Sequence, residues 1–223
     1  MKRIIYFVLA ILVCGIYAGC SESEIELYNQ TSRINFYGSL HIRTLVDTDY
    51  VKKDDPYAID SFTVKIQGDL LKENRDFCVK VSPNSDYQKP VDLLLDSKYT
   101  YTELDTVCQV FYYKIKRPAV EAGRKVYGCF LEFDLSNPLH QFDKGLVEQN
   151  QIPLNVRWEL KTDEWGCWSG YKYGSYSDEK YMFIMDVCEC VYEELKEEDY
   201  DKVKQAYKEY REAGNPPILG EDG

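Results

Sequence analysis

Between residues 33 and 160 the chain repeats one pattern: short runs rich in β-branched and aromatic residues, broken by polar turns. The runs are "RINFYG" (33–38), "SFTVKIQG" (61–68), "DFCVKV" (76–81), "TVCQVFYYKI" (106–115), "KVYGCFLEFDL" (125–135) and "IPLNVRWEL" (152–160). Several have a period of two. Phe62, Val64 and Ile66 fall on one side, with Ser61, Thr63 and Lys65 on the other, so one face is set for burial. Segments such as "SPNSDYQKP" and "RPAVEAGR" carry the turn formers that separate strands. No long helical period intervenes, which excludes helical bundles and doubly wound sheets. The pattern predicts a mainly β fold, an immunoglobulin-like antiparallel β-sandwich over residues 31–161. A chain of 223 residues, 44% hydrophobic, is long enough to bury a substantial core.

The character changes after "TDEWGCWSGYKYGS", and residues 162–219 are expected to form a small α+β appendage. Ser177-Asp178-Glu179 offers a helix N-cap with early acidic residues. The following "KYMFIMDVCECVYEEL" reads as a strand, because Phe183, Met185 and Val187 alternate; a short helix is the other reading. "EEDYDKVKQAYKEYREAGNPP" predicts an amphipathic helix with Tyr200, Val203, Tyr207 and Tyr210 on one stripe. Gly214 and Asn215-Pro216-Pro217 end it, and 220–223 form a tail.

The beginning of the chain speaks to location. Lys2 and Arg3 precede an apolar run, Ile4 to Tyr17, of secretory signal length and shorter than a membrane span. The run ends Tyr17-Ala18-Gly19-Cys20, which resembles the bacterial lipobox. That resemblance implies a signal peptide over 1–19 and a lipid-modified Cys20, although Tyr17 stands where an aliphatic residue is usual. A plain signal peptide cut after Ala18 and an uncleaved anchor are the alternatives. Each acyl chain would add about 0.8 kcal/mol per buried CH₂, enough in pairs for durable anchoring. Residues 20–30 read as an acidic tether. Its Ser-Glu-rich start is similar to the signal that sends lipoproteins of Bacteroidota to the outer face of the outer membrane. The expected location is therefore the outer membrane, lipid-anchored and facing the cell exterior, with a periplasmic facing as the alternative.

Composition narrows the chemistry. A net charge of −11 argues against binding nucleic acid through its phosphates. Of eight cysteines, Cys14 would leave with the signal and Cys20 would carry lipid. Cys129 alternates with Tyr127, Leu131 and Phe133, and Cys78 and Cys108 lie in strand-like runs, so each reads as a small buried hydrophobe. Whether Cys78, Cys108, Cys129, Cys167, Cys188 and Cys190 pair is left open by spacing alone. The Cys-x-Cys at 188–190 has no histidine cluster near it, and no metal or other cofactor is expected. His41 and His140 are the two histidines, and no hydrolase, metalloprotease or phosphate-loop motif occurs. The chain is read as no enzyme.

The remaining signal is aromatic. All three tryptophans lie between 158 and 168, followed closely by several of the 20 tyrosines. Exposed rings stack on the CH faces of sugars while their OH and NH groups bond hydroxyls. Trp165, Trp168, Tyr171 and Tyr173 are thus the candidate ligand-binding residues, with packing at the junction as the competing reading. Trp158, within a strand pattern, is expected in the core.

Three stretches together resemble a family. "DSFTVKIQGDLLKENRDFCVKV" has a strand ending in Gly and an Asn74-Arg75-Asp76 turn. "RKVYGCFLEFDLSNPLHQF" carries Asn137 and Phe142. "GSYSDEKYMFI" places Gly174, Tyr176, Ser177, Lys180, Tyr181 and Phe183 in a fixed pattern. In this order they are similar to domain-of-unknown-function family 4843, a group of Bacteroidota surface lipoproteins. The resemblance implies a surface lipoprotein associated with nutrient-import complexes, and no assigned catalytic residues. The combined expectation is an accessory binding protein for glycan or peptide, touching import-complex subunits. A structural or adhesive surface protein is the alternative, and a hydrolase the least expected.

Overall fold

The structure, a computed structural model, describes residues 32–52, 54–103, 106–121, 125–160, 165 and 172–218. All six runs contain strands: β1 (Arg33–Phe36), β3 (Tyr57–Gln67), β4 (Arg75–Phe77) with β5 (Val79–Ser82), β8 (Cys108–Lys116), β9 (Val126–Phe133) and β11 (Gln151–Trp158). Four short strands complete them: β2 (His41–Leu45), β6 (Leu93–Leu94), β7 (Tyr99–Tyr101) and β10 (Asp143–Lys144). They form a five-stranded sheet, β10-β1-β3-β8-β6, a four-stranded sheet, β2-β11-β9-β5, and a β4-β7 ribbon.

Alternation decides what each sheet buries. Ile34, Phe36, Phe62, Val64 and Ile66 turn inward from the first sheet; Cys129, Leu131, Phe133, Leu154 and Val156 turn inward from the second. The sheets meet through rings. Phe36 stacks on Phe133 with centroids 4.2 Å apart, and Phe77 meets Phe111 edge-on at 4.8 Å. At Gly128, on the outer face of β9, a Cβ would come within 2.0 Å of the Tyr87 ring, so only glycine lets that ring lie flat there.

The sandwich is not wholly antiparallel. β1 leaves the first sheet at Phe36, and Gly38, at φ +121°, turns the chain across to the second sheet, where β2 begins. β2 then runs parallel to β11 from the pairing of His41 with Leu154, and β10 runs parallel to β1.

Three α-helices are present among the described residues: α1 (Asp47–Val51), α2 (Asp178–Cys188) and α3 (Asp199–Glu212). α3 matches the predicted helix, and Gly214 at φ +86° ends it. The segment read as a strand is instead α2. Ser177 caps it, its hydroxyl accepting from the Lys180 N–H at 3.1 Å. Tyr181, Ile184 and Met185, spaced three and four apart, are its buried apolar positions, so the alternation of Phe183, Met185 and Val187 is incidental.

α2 is fastened to the sandwich by a phenol. Tyr181, fully buried, donates to the Asp47 carboxylate at 3.0 Å and accepts from the Tyr192 N–H at 3.0 Å. Leu160, Tyr181 and Met185 form a second small core, and Trp158 packs against both this core and the main one. Trp158 is half-buried, and its indole donates to the Pro118 carbonyl at 2.9 Å. Among the described residues no helix is long and apolar enough to cross a membrane.

Candidate functional site

The structure places the predicted aromatics unequally. Trp165 is packed: its indole donates to the Gly174 carbonyl at 2.9 Å, and its ring lies 5.3 Å from Tyr176 and 6.1 Å from Tyr181. It supports the second core. Tyr173 is half-buried, edge-on to Tyr200 at 5.6 Å, and burial pushes its phenol up to about 12. Trp168, Tyr171 and the lipidation residue Cys20 lie outside the described residues.

Tyr173 borders a groove between α2 and α3 with a cavity volume of about 170 Å³. The helical spacing of α3 sends Tyr200, Val203 and Tyr207 to one wall, and Phe183 and Ile184 of α2 form the other. Three lysines line it and no carboxylate does, in a chain with 38 acidic residues. Lys180 is buried and donates to the Ser175 carbonyl at 2.7 Å. The Lys172 ammonium lies 3.3 Å from Glu197 and 5.2 Å from the Tyr200 ring centre, a cation–π distance. Lys204 stands exposed at the mouth. Apolar walls with cationic fittings suit a ring or aliphatic group that carries negative charge. A volume below the few hundred Å³ of ordinary ligand pockets limits the occupant to about one such group.

A second concavity, about 490 Å³, lies at the sandwich edge where the chain crosses from β1 to β2. Its walls are the Tyr37–Ser39 turn, Lys65 of β3, Phe130 of β9, the short 3₁₀ turn Val147–Gln149 and the start of β11. Nothing in the aromatic signal pointed here; Gly38 beside Tyr37 was the available cue.

Each histidine has one ring nitrogen bonded, and His140 Nε2 is buried without a partner among the described residues. His41 Nε2 lies 2.8 Å from Asp60, which also accepts from Tyr113 at 3.1 Å, so this cluster joins the two sheets. Burial alone would raise the Asp60 carboxyl, but the bond to and charge of His41, with the Ser61 N–H and Tyr113, bring it below the usual carboxylate range. His140 Nδ1 accepts the Cys78 N–H at 3.2 Å, and burial lowers its pKa. The Cys78 thiol, pushed up by burial, points instead to the Ser97 carbonyl at 3.6 Å. A protonated thiol turned from the imidazole is not an activated nucleophile. Cys78, Cys108, Cys129, Cys188 and Cys190 are free, Cys167 lies outside the described residues, and no group of potential metal ligands occurs among the described residues.

No protein-family model matches the chain. No curated protein matches it either. Among solved structures, the apo form of a Calx CBD1 domain is similar to it at 8% identity and a TM-score of 0.39, covering 58% of this chain and 99% of that one. A Bacteroides ovatus protein described as a candidate carbohydrate binding protein is similar at 9% identity and a TM-score of 0.38, covering 56% of this chain and 36% of that one.

Proposed function

We propose that the protein is a surface lipoprotein, anchored in the outer membrane through lipidated Cys20, that serves a nutrient-uptake system as a binding component without catalysis. One observation carries the binding half of this reading. The α2–α3 groove combines the Tyr173, Tyr200 and Tyr207 rings with three lysines, of which Lys172 is paired with Glu197, and no acidic residue in its lining. Its ligand is a glycan or peptide end presenting one ring or aliphatic group next to a carboxylate. The resemblance to family 4843 supports the surface location and a partner within an import complex.

The test is affinity electrophoresis and calorimetry of the full-length protein against acidic glycans and acidic peptides, beside Tyr200→Ala and Lys204→Ala. Both wild-type binding and its loss in Tyr200→Ala are expected. Binding untouched by both variants would remove the groove from the function. Mass spectrometry of the membrane form should find an acylated Cys20 as first residue, and any other N-terminus would remove the anchor.

A structural or adhesive role is the second reading, favoured by the outer face of the five-stranded sheet. Ile59, Leu94, Val110 and Tyr112 are all at least half exposed there, and the register aligns Ile59 with Lys114 and Leu94. Scattered apolar residues on a sheet face are common, so the groove carries more weight.

A further inference from the structure

We infer that the cleft at the β1–β2 crossover is a binding site for a short neutral oligosaccharide, separate from the helical groove and not dependent on it.

The cleft exists because of strand order. β2 pairs with β11 only from Leu154 onward, so Gln151, Ile152 and Pro153 have β9 on one side and, among the described residues, no paired strand on the other. Asn150 accepts from Phe133 across the β9 ladder, and by alternation Gln151 and Pro153 turn their own backbone groups outward. Pro153 has no N–H. An added peptide strand would therefore find a broken edge, which excludes strand addition as the mode of binding.

What remains is side-chain recognition. Tyr37 is 62% exposed, held outward by the left-handed Gly38 while its backbone N–H stays bonded to Thr63 at 2.9 Å. Its ring has an open face. Around it stand Ser39, Lys65, Glu148, Gln149 and Gln151, and among the described residues none of these polar side chains makes a hydrogen bond or ion pair.

Their types fit hydroxyls. Two amides each offer a donor and an acceptor side by side, matching neighbouring sugar OH groups. Lys65 and Glu148 bring one charge of each sign, so the lining carries no net charge, unlike that of the groove. A volume near 490 Å³ falls in the range of pockets that enclose small ligands. One stacking ring among uncommitted amides, a hydroxyl and two opposite charges describes a sugar site.

The probes are neutral tetrasaccharides of glucose, galactose, mannose or xylose, titrated into full-length protein in detergent and followed by calorimetry. Tyr37→Ala and Gln151→Ala are compared with wild type and with Tyr200→Ala, each checked for folding by circular dichroism. Both cleft residues are exposed, so these variants should fold. At least one tetrasaccharide should bind, with affinity falling about tenfold or more in Tyr37→Ala and about three- to tenfold in Gln151→Ala, the scale of one stacking or hydrogen-bonding contact. Tyr200→Ala should bind as wild type. No binding by folded wild type overturns the proposal, as does binding that survives both cleft variants. Loss in Tyr200→Ala alone moves the sugar to the groove, which also overturns the cleft assignment but leaves the proposed function standing.

Discussion

The sandwich and the helical layer are held together by different chemistry. In the sandwich, Phe36, Phe62, Phe77, Phe111 and Phe133 form a continuous cluster of rings without polar atoms, with bonded phenols such as Tyr113 and Tyr127 around it. In the helical layer the large side chains are mostly tyrosines and tryptophans, several with a polar handle fixed to a specific partner: Tyr181 to Asp47, Tyr50 to Asp186, Trp165 to Gly174. One region depends on volume filled, the other on bonds completed. Ring deletion should therefore hurt the first most, and deletion of a single oxygen should be felt in the second.

The largest effect expected is Phe77→Ala. Phe77 is fully buried among Tyr99, Phe111, Phe133 and Phe142, and the cavity should cost about 3–5 kcal/mol in urea unfolding. A loss below about 1 kcal/mol would break the comparison, because the core would then be closing around the missing ring.

Tyr181→Phe should come next, at roughly 1–3 kcal/mol, since it strands the Oδ2 of buried Asp47 and the Tyr192 N–H together. Hydrogen exchange sharpens it. Amides of α2 should exchange faster while those of β3 and β8 hold. Equal acceleration everywhere would make the two layers one cooperative unit.

The smallest effect is that of pH, acting on the polar cluster that joins the sheets. Asp60 is held below its usual range, so its contribution is present above the unfolded carboxylate pKa of about 3.9 and is lost as pH falls through the folded value. Asp60→Asn should flatten the acid limb of a stability–pH curve below about pH 4 and leave its neutral region with the same slope. An unchanged acid limb would mean that other carboxylates govern acid unfolding.

Period two was sufficient to locate the six long runs because each strand of the sandwich buries one face. It failed where burial obeys another geometry. β2 carries His41, Arg43 and Thr44, and the polar partners are Asp60 of β3 for His41 and Asp49 of α1 for Arg43, so its own residues give no alternating signal. In α2 the apolar residues are dense enough to satisfy both periods locally, and only the Ser177 cap and contacts with Leu160 and Trp158 decide for a helix. The tyrosine stripe of α3 was readable in advance, and with it one wall of the groove. The facing wall was not, because it depended on α2. The edge cleft was least legible: it is made by a strand changing sheets, an event written in pairings between segments far apart.

That same change of sheets governs the order in which the molecule can be assembled. β1 finds an antiparallel partner soon, in β3, but β2 has no neighbour except β11, and its first residue, His41, waits for Leu154. Until the later segment arrives, one margin of the second sheet is an unclaimed strand, and forming it requires closing a long stretch of chain at an entropic cost. A strand synthesised among the first, β2, is thus among the last to be secured. A polypeptide built this way keeps its second sheet incomplete until the β11 segment has been made.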